Sequence, residues 1–175
     1  MGVERRVRFE LLFRRHEPAV RAYALRRVGP SLADDVVAEV FLVCWRRFEE
    51  VPADALPWLL GIARNVLGTL RRGEHRRAAL RGRLAEIETC GPSELAGIGD
   101  GVLAAAMARL SEDDRELLLL IAWEGLSTRA LAASLGLRPS TVRVRVMRAR
   151  RRLRVALARV EAASNACVPA TMEVS

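Results

Sequence analysis

Apolar positions recur every three or four residues along most of this chain, the period of one face of an α-helix. Phe9, Leu12, Phe13, His16, Val20, Tyr23 and Ala24 form the first series. Pro18 interrupts it, so a short helix, a break and a second helix with Pro18 near its start are expected. His16 lies on the apolar face and reads as an interior histidine. Gly29-Pro30 ends this unit. Ser31 and Asp34 then have the spacing of a capping pair. The helix that follows buries Ala33, Val37, Val40, Phe41, Cys44 and Phe48. Its other side presents Asp35, Glu39, Leu42 and Arg46, at spacings of four, three and four. Such a stripe is either solvated surface, the usual case, or a docking face for a partner helix.

EEVPADALP is a turn-rich loop, and Pro57 starts a helix whose buried side is Leu59, Ile62, Ala63, Val66 and Leu70. Trp58, Gly61, Asn65, Thr69 and Arg72 fall on one exposed stripe, flanked by Arg64 and Arg71. An aromatic ring, an amide and arginines on one face suit stacking and phosphate contacts with unpaired bases. A tryptophan packed as a helix-end anchor is the competing reading. Residues 73 to 100 hold arginines, glutamates and five glycines without sustained periodicity. Helix is possible in EHRRAALRGRLAEIE, whereas TCGPSELAGIGDG reads as a linker.

The second unit begins with VLAAAMARL. Ser111 and Asp114 mark a helix start and Gly125 a stop. Ser127 caps the short helix TRALAASL, with Leu126 and Leu131 placed as a hydrophobic staple. Gly136 makes a turn, and Pro139 takes the first position of a long basic helix. The alternation TVRVRV is also compatible with a strand. It ends at Met147, whereas Val142, Val146, Ala149, Leu153, Ala156 and Val160 carry a helical stripe much further. A short helix, a glycine turn and a longer basic helix make the helix-turn-helix layout, whose second helix enters the DNA major groove. Opposite the apolar stripe lie Ser140, Val144, Met147, Arg148 and Arg151. Arg143, Arg150 and Arg154 flank one side, and Thr141, Arg145 and Arg152 the other. A few of these would face the groove floor and the rest its phosphate walls.

Charge sharpens this picture. The chain has 175 residues, 51% of them hydrophobic, and a net charge of +8. That length suits one large or two small domains. Residues 111 to 124 are net −4, whereas 138 to 159 are net +9. A segment so bipolar suggests a polyanion on one surface and different neighbours on the other. All 29 basic residues other than histidine are arginine. Guanidinium favours bidentate contacts to phosphate and guanine, although a chain-wide bias also follows from a G+C-rich genome. Cys44, Cys90 and Cys167 are far apart, with no metal-ligand spacing, which fits a reducing cytoplasm. No signal-peptide stretch opens the sequence, and the longest apolar run, LLLLIAW, is far too short for a bilayer. Two isolated histidines, no glycine-rich phosphate loop and no candidate triad argue against an enzyme, and no metal or cofactor is expected.

In order and separation, three of these segments resemble the extracytoplasmic-function class of bacterial RNA polymerase sigma factors. ADDVVAEVFLVCWRRF resembles the region-2 helix that docks on the clamp of RNA polymerase, and PWLLGIARNVLGTLRR the adjoining segment that holds the melted −10 element. GLSTRALAASLGLRPSTVRVRVMRARRRL resembles the region-4 helix-turn-helix that reads the −35 element. The resemblance covers about residues 9 to 157. It implies an all-α fold of two small helical domains joined by a flexible linker. Region 2 would occupy 1–73, the linker 74–100, region 4 101–163, and a tail expected to be disordered 164–175.

Carried over by position, the resemblance puts Asp35, Glu39, Leu42 and Arg46 in the polymerase-docking motif. Trp58, Arg64, Asn65, Arg71 and Arg72, with the loop 50–54, fall in the −10 segment. Arg138, Ser140, Thr141, Arg143, Val144, Arg145, Met147, Arg148, Arg151 and Arg152 fall in the −35 segment. Of these, Arg143, Val144, Met147 and Arg148 match base-edge positions. Val144 departs from the small polar residue often found there, though a valine can touch a thymine methyl. The implied partners are core polymerase, at its β′ clamp and β flap, and promoter DNA. The class also implies an anti-sigma partner for many members, and nothing in the sequence identifies one. A stand-alone helix-turn-helix regulator is the alternative. It leaves the Trp58/Asn65 stripe and the polar face of the helix over 31–49 unexplained.

Overall fold

The computed structural model describes residues 2–80 and 101–166, with side chains for 2–73 and 101–163. All of its regular elements are helical. The first unit has α1 (Gly2–Val28), α2 (Pro30–Arg46), a 3-10 turn (Phe48–Glu50) and α3 (Ala55–Leu80). The second has α4 (Gly101–Ala108), α5 (Glu112–Ala122), α6 (Thr128–Leu135) and α7 (Pro139–Ala166). Most of the expected linker, and the tail beyond Ala166, lie outside the described residues. The third helix reaches Leu80, past the boundary expected at residue 73.

Two expectations for α1 and α2 are corrected. Pro18 does not break the first helix, which is continuous from Gly2 to Val28. A proline inside a helix removes one backbone bond, to the carbonyl four residues back. Here both halves are held by packing on α2: Phe9 and Phe13 meet Phe41 at ring distances of 6.3 and 4.6 Å, while Val20, Tyr23 and Ala24 are buried further along. Nor do Ser31 and Asp34 cap α2. Gly29, at φ 72°, stands at the cap position, Pro30 opens the helix, and no side chain caps it. Asp34 instead pairs with Arg21 of α1. A positive φ is cheap for glycine, and proline needs no hydrogen-bond partner at a first turn, so the chain reverses there and α2 runs back along α1.

The second unit follows its expected punctuation closely. The Ser111 hydroxyl accepts from the Asp114 amide and the Ser127 hydroxyl from the Ala130 amide. Gly136, at φ 63°, closes α6 with its amide on the Ala132 and Ala133 carbonyls. Val142 and Ala149 of α7 are wholly buried, and Ala156 and Val160 nearly so. Buried Arg115 donates to the carbonyls of Met107, Ala108 and Leu110, closing the end of α4. The Met107 carbonyl also accepts from the Leu110 amide at 3.1 Å, so Arg115 adds to the backbone turn that follows α4.

One hydrophobic cluster runs through both units, from Val20 and Leu59 to Leu131 and Val142. The contact is made where α3 crosses α6. A Cβ built on Gly61 would lie 2.4 Å from the Ser134 carbonyl oxygen, so only glycine lets the two backbones approach this closely.

Candidate nucleic-acid and polymerase interfaces

The α2 stripe is built by period alone. Ala33, Val36, Val37, Val40, Phe41 and Cys44 face the core, which leaves Asp35, Glu39, Leu42 and Arg46 exposed on the opposite side. Leu42 is 43% exposed, an apolar side chain amid charges. Burial pushes the Cys44 thiol up to about 11, so this cysteine is a packing residue.

The α3 stripe is less uniform than its spacing suggests. Trp58 is half-buried against the core, with the Arg47 guanidinium 5.5 Å from its ring centre. Its anchoring role is therefore real. Asn65 is exposed. The Thr69 hydroxyl donates to the Asn65 carbonyl and accepts from Arg72 at 3.1 Å. Gly61, expected on the exposed stripe, is buried under α6. Leu70, expected inside, is 36% exposed, and Leu60 and Leu67 are buried instead. Arg64 donates to Asp113 at 2.7 Å, and Arg71 pairs with Glu112. Both flanking arginines thus face acids of α5.

The basic helix shows the cleanest division. Arg138, Ser140, Thr141, Arg143, Val144, Arg145, Met147, Arg148, Arg151 and Arg152 are all exposed. Met147 is 62% exposed, whereas Val142, five residues earlier and around the helix, is not exposed at all. Arg152 differs from the others, since it donates to Asp114 at 2.6 Å.

A buried polar cluster joins the units, and it was not anticipated. Arg27 donates to both oxygens of Glu116, at 2.9 and 3.1 Å, and the Tyr23 hydroxyl donates to the same carboxylate at 2.7 Å. Arg26 grips Glu124 at 2.6 Å. Burial works against the Arg27 charge, but Tyr23, Glu116 and Glu124 outweigh it and hold the guanidinium above its ordinary value. Burial, and then the Glu116 charge, push the Tyr23 phenol well up, so it remains a donor. A signal was present: Arg27 continues the series Val20, Tyr23, Ala24 on the apolar face, where a charge requires a buried partner.

A basic helix-turn-helix beside a second helical unit defines a DNA-binding class of protein. Comparison with known proteins narrows it. Residues 12–77 match the family model for sigma-70 region 2, and residues 101–153 that for sigma-70 region 4. The chain is 32% identical over 157 residues to the ECF RNA polymerase sigma factor SigL of Mycobacterium tuberculosis, covering 83% of this chain and 86% of that one. It is 35% identical over 135 residues to the "Probable RNA polymerase sigma factor RfaY" of Xanthomonas campestris pv. campestris. That match covers 71% of this chain and 34% of RfaY, so the chain spans about a third of that relative's length. The sigma factor RpoE of Bartonella quintana, solved with the anti-sigma factor NepR, superposes with a TM-score of 0.61 at 27% identity, over 85% of this chain and 96% of that one. The chain belongs to the extracytoplasmic-function class of RNA polymerase sigma factors, and it functions as one.

Proposed function

We propose that α2 docks this sigma factor on the β′ clamp of core polymerase through Asp35, Glu39, Leu42 and Arg46, and that region 4 also meets the β flap. The α3 surface of Trp58, Arg64, Asn65, Arg71 and Arg72, with the loop 50–54, takes the melted −10 strand. The exposed face of α7 reads the −35 duplex, with Arg143, Val144, Met147 and Arg148 at base edges and the remaining residues on phosphate. The chain supplies specificity and no chemistry of its own, uses no cofactor, and acts in the cytoplasm. Among the described residues no helix is long and apolar enough to cross a membrane. The RpoE structure contains an anti-sigma factor, which supports a protein inhibitor for this chain too.

The observation that carries this reading is the division of α7. Its apolar face is spent on the core, which leaves an exposed row of arginines with Val144 and Met147 among them. Solvated surface needs no such apolar side chains, whereas a groove floor with thymine methyls accommodates them.

Run-off transcription with added core polymerase on a promoter library tests it. The wild-type chain should select a set of promoters sharing −10 and −35 elements. An Asp35→Arg, Glu39→Arg variant should lose core binding while keeping its circular dichroism and its duplex binding. Normal core binding by that variant would remove the stripe from the docking site.

A further inference from the structure

Two arginines brace the short turn that leads into the loop 50–54. Arg47, just past the end of α2, donates through Nε to both carboxylate oxygens of Glu50 at 3.1 Å. The same guanidinium lies 5.5 Å from the ring centre of Trp58 on α3. Arg5 of α1 donates to the Trp45 carbonyl at 2.7 Å, in the last turn of α2. It also covers the Trp45 ring at 4.7 Å, and its Nε lies 3.9 Å from Glu49. Phe48, within this turn, is buried with its ring 5.9 Å from that of Phe9. Beyond the turn, Pro52, Ala53 and Asp54 are exposed. The loop therefore has an anchored base and an open tip. We propose that Arg47, through Glu50 and Trp58, is a positioning residue that fixes the loop 50–54 relative to α3 and so sharpens the choice of base in the −10 element, with Arg5 holding the turn on which it stands. The proposal rests on the assignment of that loop and Trp58 to the −10 site.

The geometry favours this over an ordinary solvated ion pair. A guanidinium is a planar fork whose edge suits a carboxylate and whose face suits an aromatic ring. Arg47 uses both, and its backbone amide closes α2 on the Val43 carbonyl at 3.0 Å. One residue thus ties the end of α2, the start of the loop and the start of α3. The hydrogen bonds from Arg47 hold the Glu50 carboxyl below its ordinary value, so the pair is ionised at neutral pH. Base selection needs walls that keep their spacing, since a small misplacement loses contacts made to one edge. The sign of Glu50 adds to this. A carboxylate beside single-stranded DNA repels phosphate, so at this place it serves position rather than affinity.

The test uses holoenzyme reconstituted with core polymerase. A fluorescein-labelled fork-junction DNA, made from a promoter selected from the library, carries each of the four bases in turn at every −10 position. Anisotropy reads the affinity for each. Glu50→Gln should narrow discrimination at one −10 base by about three- to fivefold, the scale of an exposed charged pair, while overall affinity stays level or rises. Arg47→Ala should narrow it by about five- to tenfold, because stacking on Trp58 is lost as well. The double variant should be no worse than Arg47→Ala alone. Arg5→Ala should narrow discrimination at the same base. Circular dichroism and −35 duplex binding should stay unchanged throughout. Wild-type discrimination by Glu50→Gln, exposed and nearly isosteric, overturns the proposal. Equal losses for all four bases in Arg47→Ala also overturn it, since they make Arg47 a phosphate contact. Pro52→Gly, Ala53→Gly, Asp54→Gly tests the underlying assignment. Unchanged −10 discrimination by that variant takes the loop out of the site and the proposal with it. Flattened discrimination there, beside a normal Glu50→Gln, overturns the positioning role alone.

Discussion

Arg115 and Arg148 are the same residue type in the same unit, and burial gives them opposite tasks. Arg115 is buried and donates to the carbonyls of Met107 and Ala108 in α4 and of Leu110 just beyond it. Arg115→Leu removes these bonds, although the Met107 carbonyl keeps its bond from the Leu110 amide, and a buried polar group left unsatisfied costs about 1–3 kcal/mol. We expect a loss of that size in urea denaturation, with the transition of region 4 moving first. Arg148 is exposed on the face of α7 proposed to meet DNA. Arg148→Ala should cost about 1–3 kcal/mol of duplex affinity and relax preference at one base pair. Arg152 is already engaged by Asp114, so Arg152→Ala should weaken all sequences alike and reduce the salt slope by less than one full phosphate contact. Competition binding on a randomised −35 library across salt concentrations separates the two. From the sequence these arginines were told apart by helical angle alone. Asp114 could not be seen, because it belongs to another helix.

At the scale of the element, boundaries were legible wherever a side chain or a glycine sets them locally. Ser111, Ser127, Gly136 and Pro139 act as their spacing foretold, since a cap or a left-handed turn is decided within a few residues. Ser127→Ala should therefore lower stability by about 1 kcal/mol, read as a shift in the thermal midpoint. Pro18 shows where local reading fails. Its cost is one backbone bond, and the aromatic packing of Phe9 and Phe13 on α2 lies outside the local window. The α2 stripe was fully legible, because a helix packed on one side must show its other side to solvent.

The whole molecule brings the two proposed DNA faces into one charge system. Trp58 and Asn65 are seven residues apart on α3, so they point the same way. Trp58 is partly committed to the core, which makes outward Asn65 the cleaner probe. Asn65→Ala should leave −35 duplex binding untouched and reduce open-complex formation by the reconstituted holoenzyme about tenfold, the equivalent of ~1.4 kcal/mol. A fluorescent base analogue in the −10 element reports the opening, and normal opening by the folded variant would take Asn65 out of the site. A defect in duplex binding instead would mean that α3 and α7 act on each other through the contact at Gly61.

The sequence alone determined most of the helices and their caps, most of the faces they bury, and the family to which the chain belongs. All of these follow from periods and turns a few residues long, repeated in a recognisable order. Only the tertiary structure decided which charges are available. It put Arg27 inside on Glu116, gave Arg64 and Arg71 to the start of α5, and placed Gly61 under α6. These pairs join positions 41 to 89 residues apart. Nothing local encodes such a meeting, because it depends on how two already formed helical units pack against each other.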